Sequence, residues 1–149
     1  MYMLALAENK KAYFDYEILE KLEAGIELEG HEVKSLKTRG ADLVGSFVII
    51  RGGEVYVTGL TIIPYQIGNV PKNYDSQRTR RILLKKSEIR YLADKLHDKG
   101  LTLLLLKLYN KNRFIKAEVG LARRKKKADK RQRIKERETK RKIEREMKR

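Results

Sequence analysis

The stretch FDYEILEKLEAGIEL, residues 14–28, decides how the chain folds, because apolar and charged side chains alternate along it. A period of two predicts a β-strand with one buried face, interrupted here only at Leu19 and Glu20. The letters LEKLEA favour a helix by propensity, but Gly25 would cost a helix about 1 kcal/mol and suits a bend or bulge in a strand. We therefore predict one long strand over this stretch, or two strands joined near Gly25.

The rest of the first 121 residues continues in short β-rich runs separated by glycine. The pattern predicts a hairpin of residues 46–51 and 54–58 around Gly52-Gly53, strands at 61–65 and 80–84, and a hairpin of 101–109 and 114–121. Short helices are predicted at 31–38 and 88–99. Many short strands without βαβ alternation indicate a mainly β fold, a small closed antiparallel β-barrel of about six strands with two or three short helices.

The charge is concentrated at the end of the chain. Residues 122–149 contain sixteen Lys or Arg and five Asp or Glu, out of a formal net charge of +16 for 149 residues. We therefore divide the chain into a β-barrel domain, 1–121, and a basic tail, 122–149. Acid-first i,i+4 pairs favour helix in the tail, but it has no apolar stripe to pack. We predict a tail that is disordered or helical when free and helical on RNA, whose phosphates attract clustered cations. A solvated tail that serves only solubility is the alternative.

Composition also excludes several classes of function. There is no cysteine, so disulfides and thiolate metal sites are excluded, and no apolar run approaches the roughly 20 residues of a membrane helix. With no secretory signal at the start, we expect a cytoplasmic protein with no membrane partner. His31 and His97 have no partner at ligand spacing, and no catalytic or phosphate-loop motif occurs. We expect no metal, no cofactor and no catalytic residues, and hence not an enzyme.

The remaining candidates form a basic binding surface. Cations cluster at Lys10-Lys11, at Lys34, Lys37 and Arg39, and at Arg78, Arg80 and Arg81, with Tyr65 and Tyr74 flanking the loop before the last group. Arg78 and Arg80 alternate on one strand face, so we expect their side chains to point together toward a partner. Tyrosine beside arginine suits stacking on unpaired bases and forked contacts with phosphate. Alternatively, the tyrosines pack on the barrel and the arginines only solubilise it.

Several strings resemble one family. They are Asn9-Lys10-Lys11-Ala12, DYEIL at 15–19, EAGIEL at 23–28, EVKSL at 32–36, PY at 64–65, Arg78 to Arg81 with Leu83-Leu84 following, KLY at 107–109 and Asp129-Lys130-Arg131. In order and spacing they resemble the SsrA-binding protein (SmpB) family, partners of transfer-messenger RNA (tmRNA). The resemblance implies an oligonucleotide-binding-like barrel and favours strand over helix at 13–28.

The resemblance also implies a function. The barrel would grip the tRNA-like domain of tmRNA, and the tail would enter the decoding centre and mRNA channel of a stalled ribosome, for trans-translation, peptide tagging and ribosome rescue. By motif, Asn9, Glu32 and Lys34 would lie on the RNA-gripping face, supported by Arg78, Arg80 and Arg81, with Glu32 hydrogen-bonded to sugar or base edges. Lys10, Lys37 and Tyr65 join this set from the basic surface. Asp129, Lys130 and Arg131, with Lys135, would form the ribosome-binding part of the tail, against small-subunit rRNA.

Five residues depart from the family pattern: His31, Tyr74, Ser76, Leu105 and Ala128. They bear on the RNA contacts of the loop before Arg78 and on the seating of the tail. Nothing in the chain indicates an obligate dimer, so we expect a monomer in a 1:1 complex with tmRNA. A structural ribosomal protein, whose basic tail threads between rRNA helices, fits the composition nearly as well and is the alternative function.

Overall fold

The structure, a computed structural model, describes residues 4–64 and 70–147. Most of this length belongs to short strands and helices. In chain order they are β1 (Leu4–Glu8), α1 (Lys10–Asp15), β2 (Tyr16–Ile26), α2 (Gly30–Arg39), β3 (Phe47–Arg51), β4 (Glu54–Thr58), β5 (Arg80–Leu83), α3 (Lys86–Lys95), β6 (Leu101–Lys111), β7 (Phe114–Arg124) and α4 (Lys127–Met147).

The strands form one antiparallel sheet that closes on itself. Their order is β1-β6-β3-β4-β5-β2-β7, and β7 pairs back onto β6, so six strands complete a ring and β1 is added to β6. Closure leaves the six ring strands with neighbours on both sides and gives their apolar faces a common interior. The predicted mainly β class with a closed sheet of about six strands is confirmed; β1 was not predicted.

The ring separates two apolar clusters. Its interior holds a large cluster in which Val55, Val57, Leu105 and Val119 are fully buried. A smaller cluster lies on the outer face, where Ala12 of α1 covers Leu104, Leu106 and Ala122. Both clusters draw on β6, because its successive side chains point to opposite faces of the sheet. Strand β6 is therefore buried on both sides, which explains its continuous apolar sequence.

Most of the alternating stretch 14–28 forms β2, with one difference at its start. Residues 10–15 form α1, so Phe14 and Asp15 are helical rather than extended. The break in the period of two corresponds to a bulge between Ile18 and Glu20. Because the bulge adds one residue, Ile18 packs on the outer cluster while Leu22 packs in the interior, although both are even-numbered. Gly25, where we had expected a bend, instead allows close approach to Leu83, whose Cβ would lie 3.1 Å from an added Cβ.

Three predicted elements differ most from those observed. The strand expected at 61–65 is not formed within the described residues: Thr61 makes a single bridge to Asp42, and Tyr65 lies outside the described ranges. Helix α3 begins and ends earlier than predicted. Strand β7 runs to Arg124 and buries Ala122, so the ring extends three residues beyond the predicted domain end at 121. Pairing with β2 from Lys116 to Arg124 holds this end of β7 in place.

The basic tail contains helix α4. All of its described side chains are exposed, which agrees with the absence of an apolar stripe. Just before α4, Lys125 is tied to α1: its amide donates to the Asp15 carbonyl, and its Nζ lies 2.9 Å from the Tyr13 carbonyl oxygen. Across the described helices, none is both long enough and apolar enough to span a membrane.

Candidate nucleic-acid interface

A buried ionic cluster joins α2 to the segment before β5. Its centre is Glu32 in the first turn of α2, whose side chain is completely buried. One carboxylate oxygen accepts a hydrogen bond from the Glu29 amide at 2.9 Å and caps the helix. The carboxylate also binds Arg78 and Arg80, and the Tyr74 hydroxyl donates to it at 2.8 Å. The cluster thus ties the Glu29 amide, Tyr74, Arg78 and Arg80 to one carboxylate.

Arg80 is almost completely used within this cluster. It is 1% exposed, and its Nε donates to Glu32 at 2.8 Å. Its other contacts are to the carbonyl oxygens of Leu60 (2.7 Å), Arg78 (3.1 Å) and Ser76 (3.1 Å) and to the Tyr74 hydroxyl (3.1 Å). A buried guanidinium is tolerated only when its donors are satisfied, and here they are.

The cluster shifts the pKa of two of its members, Glu32 and Tyr74. Burial raises the pKa of Glu32, but hydrogen bonds from Arg78, the Glu29 amide, Arg80 and Tyr74 outweigh burial and hold this pKa at about 2. Burial and the hydrogen bond to Glu32 raise the pKa of Tyr74 to about 12. Glu32 is therefore a carboxylate and Tyr74 a neutral phenol at neutral pH.

These contacts bear on two expectations. Arg78 and Arg80 do point the same way, and both meet the carboxylate of Glu32. Glu32 and Arg80 are buried and engaged within the cluster, and their contacts with RNA stay predictions. Arg78 keeps a side-chain exposure of 29% and is the one arginine of this cluster that reaches the surface. Alternation along the sequence predicted that the two arginine side chains point to the same side. It did not predict that both would bind Glu32 there.

Asn9 is also structural. It is 4% exposed, accepts from the Ala12 amide as the cap of α1, and donates to the carbonyl oxygens of Leu43 at 3.1 Å and Leu105 at 3.2 Å. The side chain therefore locks α1 onto β6 and onto the segment after α2. Its side chain is engaged within the fold and fixes where the exposed Lys10 and Lys11 stand, while its contact with RNA stays a prediction.

Other predicted site residues do lie at the surface. Lys10 of α1 and Lys34 and Lys37 of α2 are exposed, whereas Arg81 is exposed but ion-paired with Glu54 at 2.6 Å. Arg131 and Lys135 are exposed on α4. The backbone of α4 includes Asp129 and Lys130, whose side chains lie outside the described part, and Tyr65 lies outside the described ranges altogether.

Two of the residues that depart from the family pattern are neighbours. The rings of His31 and Tyr74 meet edge to face with their centroids 4.6 Å apart, and His31 Nε2 lies 2.6 Å from a Glu29 carboxylate oxygen. Tyr74 therefore joins the ionic cluster through its hydroxyl and α2 through its ring. The sequence contained this signal in the paired departures at positions 31 and 74, but not the contact between them.

The other three residues that depart from the family pattern are Leu105, Ser76 and Ala128. Leu105 is fully buried in the ring interior, and the Ser76 carbonyl accepts from Arg80. The side chain of Ala128 is outside the described part. Among residues 4–64 and 70–147, no group of three or more His, Asp or Glu side chains is arranged to hold a metal ion.

A closed antiparallel ring of six strands, with lysines on its surface helices and a basic helical appendage, defines a small β protein of the oligonucleotide-binding-like class. The chain belongs to the SmpB family: the family model described as SmpB protein matches residues 6–149. The family indicated by the sequence motifs is thus confirmed, and the match includes both the ring and the tail.

Curated relatives and a solved structure agree with this assignment. The SsrA-binding protein of Thermosipho africanus is 49% identical over 142 residues, which are 95% of each chain. That of Streptococcus mutans is 48% identical over 143 residues, 96% of this chain and 92% of the relative. A chain from the structure described as "tmRNA-SmpB: a journey to the center of the bacterial ribosome" is 48% identical with a TM-score of 0.68, covering 81% of this chain and 85% of that chain.

Proposed function

We propose that this chain binds the tRNA-like domain of tmRNA and delivers it to stalled ribosomes for trans-translation, so that the truncated peptide is tagged and the ribosome is rescued. The observation that carries the proposal is the family match over residues 6–149, together with a similar chain that is solved with tmRNA. The chain acts as a non-catalytic RNA-binding factor in the cytoplasm, as a monomer in a 1:1 complex. The alternative, a structural ribosomal protein, is not favoured by the relatives, which are SsrA-binding proteins.

On the ring, exposed lysines make the phosphate contacts and buried groups hold them in position. Lys34 and Lys37 project from α2, and the Glu32–Arg78–Arg80 cluster anchors the beginning of that helix. Lys10 projects from α1, which Asn9 anchors. Arg81 and Tyr65 complete the proposed tmRNA-binding set. Rigid placement matters because each cation gains most where it meets a phosphate without reorganising.

The tail is proposed to enter the decoding centre and the mRNA channel, where it contacts small-subunit rRNA. Asp129, Lys130, Arg131 and Lys135 lie on α4 and are assigned this role. The exposure of Arg131 and Lys135 and the absence of a described buried side chain on α4 support an appendage that binds outside the ring. An rRNA-lined channel supplies the anionic surroundings that so cationic a helix requires.

A gel-shift comparison tests the proposal. The full chain is titrated against the tRNA-like fragment of tmRNA, an ordinary tRNA and an rRNA fragment, at several salt concentrations. We expect the tRNA-like fragment to bind most tightly, and equal affinity for all three RNAs would refute the proposal. The substitutions Lys34→Gln and Lys37→Gln should each lower the slope of log K against log salt by about one, since each removes one phosphate contact. Lys99→Gln, at an exposed position after α3, should leave the slope unchanged.

A further inference from the structure

A cleft opens on the outer face of the ring, between α1, the turn before β3 and the end of β7. Its volume is about 220 Å³, below the roughly 300–1,000 Å³ of a site for a drug-sized ligand. The lining residues that matter here are Lys11, Asp15, Val44, Phe47, Leu104 and Arg124. Of these six, only Lys11 belongs to the basic surface predicted from the sequence, and none is among the residues assigned there to the RNA-gripping face.

Two apolar side chains at this cleft are exposed beside a buried apolar cluster. Val44 is 50% and Phe47 40% exposed, while Leu104 at the base of the cleft is 2% exposed and belongs to the outer apolar cluster. Phe47 points outward because the next residue of β3, Val48, is buried inside the ring. The outer cluster thus reaches the surface as an open aromatic face, and leaving such a face in water forgoes stabilisation.

Cations stand at the rim of the same cleft. Lys11 of α1 and Arg124 at the end of β7 are both exposed, and Asp15 is the one acid in the lining. The polar groups at the base are already engaged: Asn9 donates to the Leu43 and Leu105 carbonyls, and the Ser46 hydroxyl donates to the Leu43 carbonyl at 2.6 Å. A ligand would therefore meet an apolar wall and two positive charges.

We propose that this cleft binds one unpaired RNA base, stacked on Phe47, with the adjoining backbone phosphate held by Lys11 and Arg124. Aromatic stacking combined with neighbouring cations is the chemistry by which proteins hold single-stranded nucleotides. A base within a helix cannot enter, because its faces are covered by its neighbours. The inference rests on the proposed function, in that the RNA supplying the base is the tRNA-like domain of tmRNA, and it assigns to Phe47 a direct contact with that RNA.

Fluorescence anisotropy with the full chain and labelled tRNA-like fragment tests the inference. Phe47→Leu removes the aromatic face and keeps an apolar side chain, and Phe47→Trp restores a stacking surface. Phe114→Leu is the matched control, since Phe114 is 68% exposed in the hairpin of β6 and β7 and does not line the cleft. We expect Phe47→Leu to weaken binding about tenfold without changing the salt slope, and Phe47→Trp to bind like the unaltered chain. Lys11→Gln and Arg124→Gln should each lower the slope by about one.

The outcomes separate the inference from the proposed function. If Phe47→Leu and Phe114→Leu bind equally well, no base stacks on Phe47 and the inference is overturned. The same holds if Phe47→Leu and Phe47→Trp lose affinity to the same extent, because that points to the shape of the turn. If Lys11→Gln and Arg124→Gln leave the slope unchanged, the phosphate assignment is wrong. If the unaltered chain does not prefer the tRNA-like fragment, the proposed function itself is contradicted. If it does prefer that fragment but Phe47→Leu binds the fragment equally well, only this subsite is contradicted.

Discussion

At position 32 the chain buries a carboxylate and surrounds it with donors. Two arginines, a tyrosine and a backbone amide satisfy it, and none of these groups is close to Glu32 in sequence except the Glu29 amide. Such an arrangement stabilises a fold only as a complete set, because each member left alone in the interior costs more than the pair contributes. In this structure Glu32 therefore positions α2 within the fold.

Replacing Glu32 with Gln tests this role. The change leaves Arg80 buried without its counter-charge, so we expect the free energy of unfolding to fall by about 3–5 kcal/mol. Glu54→Gln is the matched control, because Glu54 also pairs with an arginine but is 44% exposed, and it should cost less than about 1 kcal/mol. Urea denaturation followed by circular dichroism measures both. Equal losses in the two variants would contradict the structural role of Glu32.

Acid should abolish the difference between the native chain and Glu32→Gln. The pKa of Glu32 is lowered from 4.5 to about 2 in the folded state, so its contribution is complete above about pH 4.5 and is lost as pH falls toward 2. We expect the gap in unfolding free energy between the two chains to shrink by about 3 kcal/mol across this range. Denaturation curves from pH 7 to pH 2 measure the gap. A gap independent of pH would mean that the carboxylate charge is not what stabilises the cluster.

At the scale of elements, the outer cluster depends on how closely β6, β7 and α1 approach. Gly120 of β7 pairs with Leu104 of β6 on one side and Lys21 of β2 on the other. A Cβ added at Gly120 would lie 2.6 Å from Leu106 Cδ1, in a side chain that is itself fully buried. The strands can therefore pack as they do only because position 120 has no side chain.

Gly120→Ala should accordingly destabilise the ring. Leu106 must move to make room, and overpacking of this kind costs about 1–3 kcal/mol. Gly30→Ala is the control: it lies at the start of α2 with nothing within 4 Å of an added Cβ, so it should be neutral or stabilising by up to about 1 kcal/mol. Thermal melts of the two variants measure the difference. A melting temperature unchanged in Gly120→Ala would show that the outer cluster tolerates an added methyl group.

For the whole molecule, we expect the ring and the basic helix to act as separate units. The described residues of the apolar core lie in the ring and the elements packed on it, and α4 adds exposed charge without a described buried side chain. Such a separation would allow one chain to bind two anionic partners at once. Recognition of a folded RNA requires the rigid ring, whereas entry into a channel requires a narrow helix.

Deletion of residues 127–149 tests this division of labour. The cut keeps all of β7 and the Lys125 contacts, so the ring should stay folded. We expect affinity for the tRNA-like fragment to fall only a few-fold at moderate salt, as non-specific charge is lost, while peptide tagging in a translation extract is abolished. Lys34→Glu should do the reverse, weakening RNA binding first and tagging as a consequence. A deletion that destroys affinity for the fragment would contradict the separation.

Sequence patterns predicted the parts of the molecule that local chemistry controls. The period of two in residues 14–28, with its break at Leu19 and Glu20, was enough to predict β2 and marked the position of its bulge. Glycine pairs and apolar runs predicted both hairpins, and motif spacing predicted the family. The RNA roles of Lys10, Lys34, Lys37, Arg78, Arg81, Tyr65 and the tail residues stay predictions.

The sequence by itself determined most of the strands, the charge of the tail and the family, because alternation, turn chemistry and net charge are local properties that folding preserves. Only the tertiary structure decided that Glu32, Arg80 and Asn9 are buried and hydrogen-bonded within the fold. It also decided that Phe47 faces solvent beside Lys11 and Arg124. Whether a polar side chain is buried depends on partners far away in the chain, such as Leu105, which lies 96 residues from Asn9, and no local pattern encodes where those partners will lie.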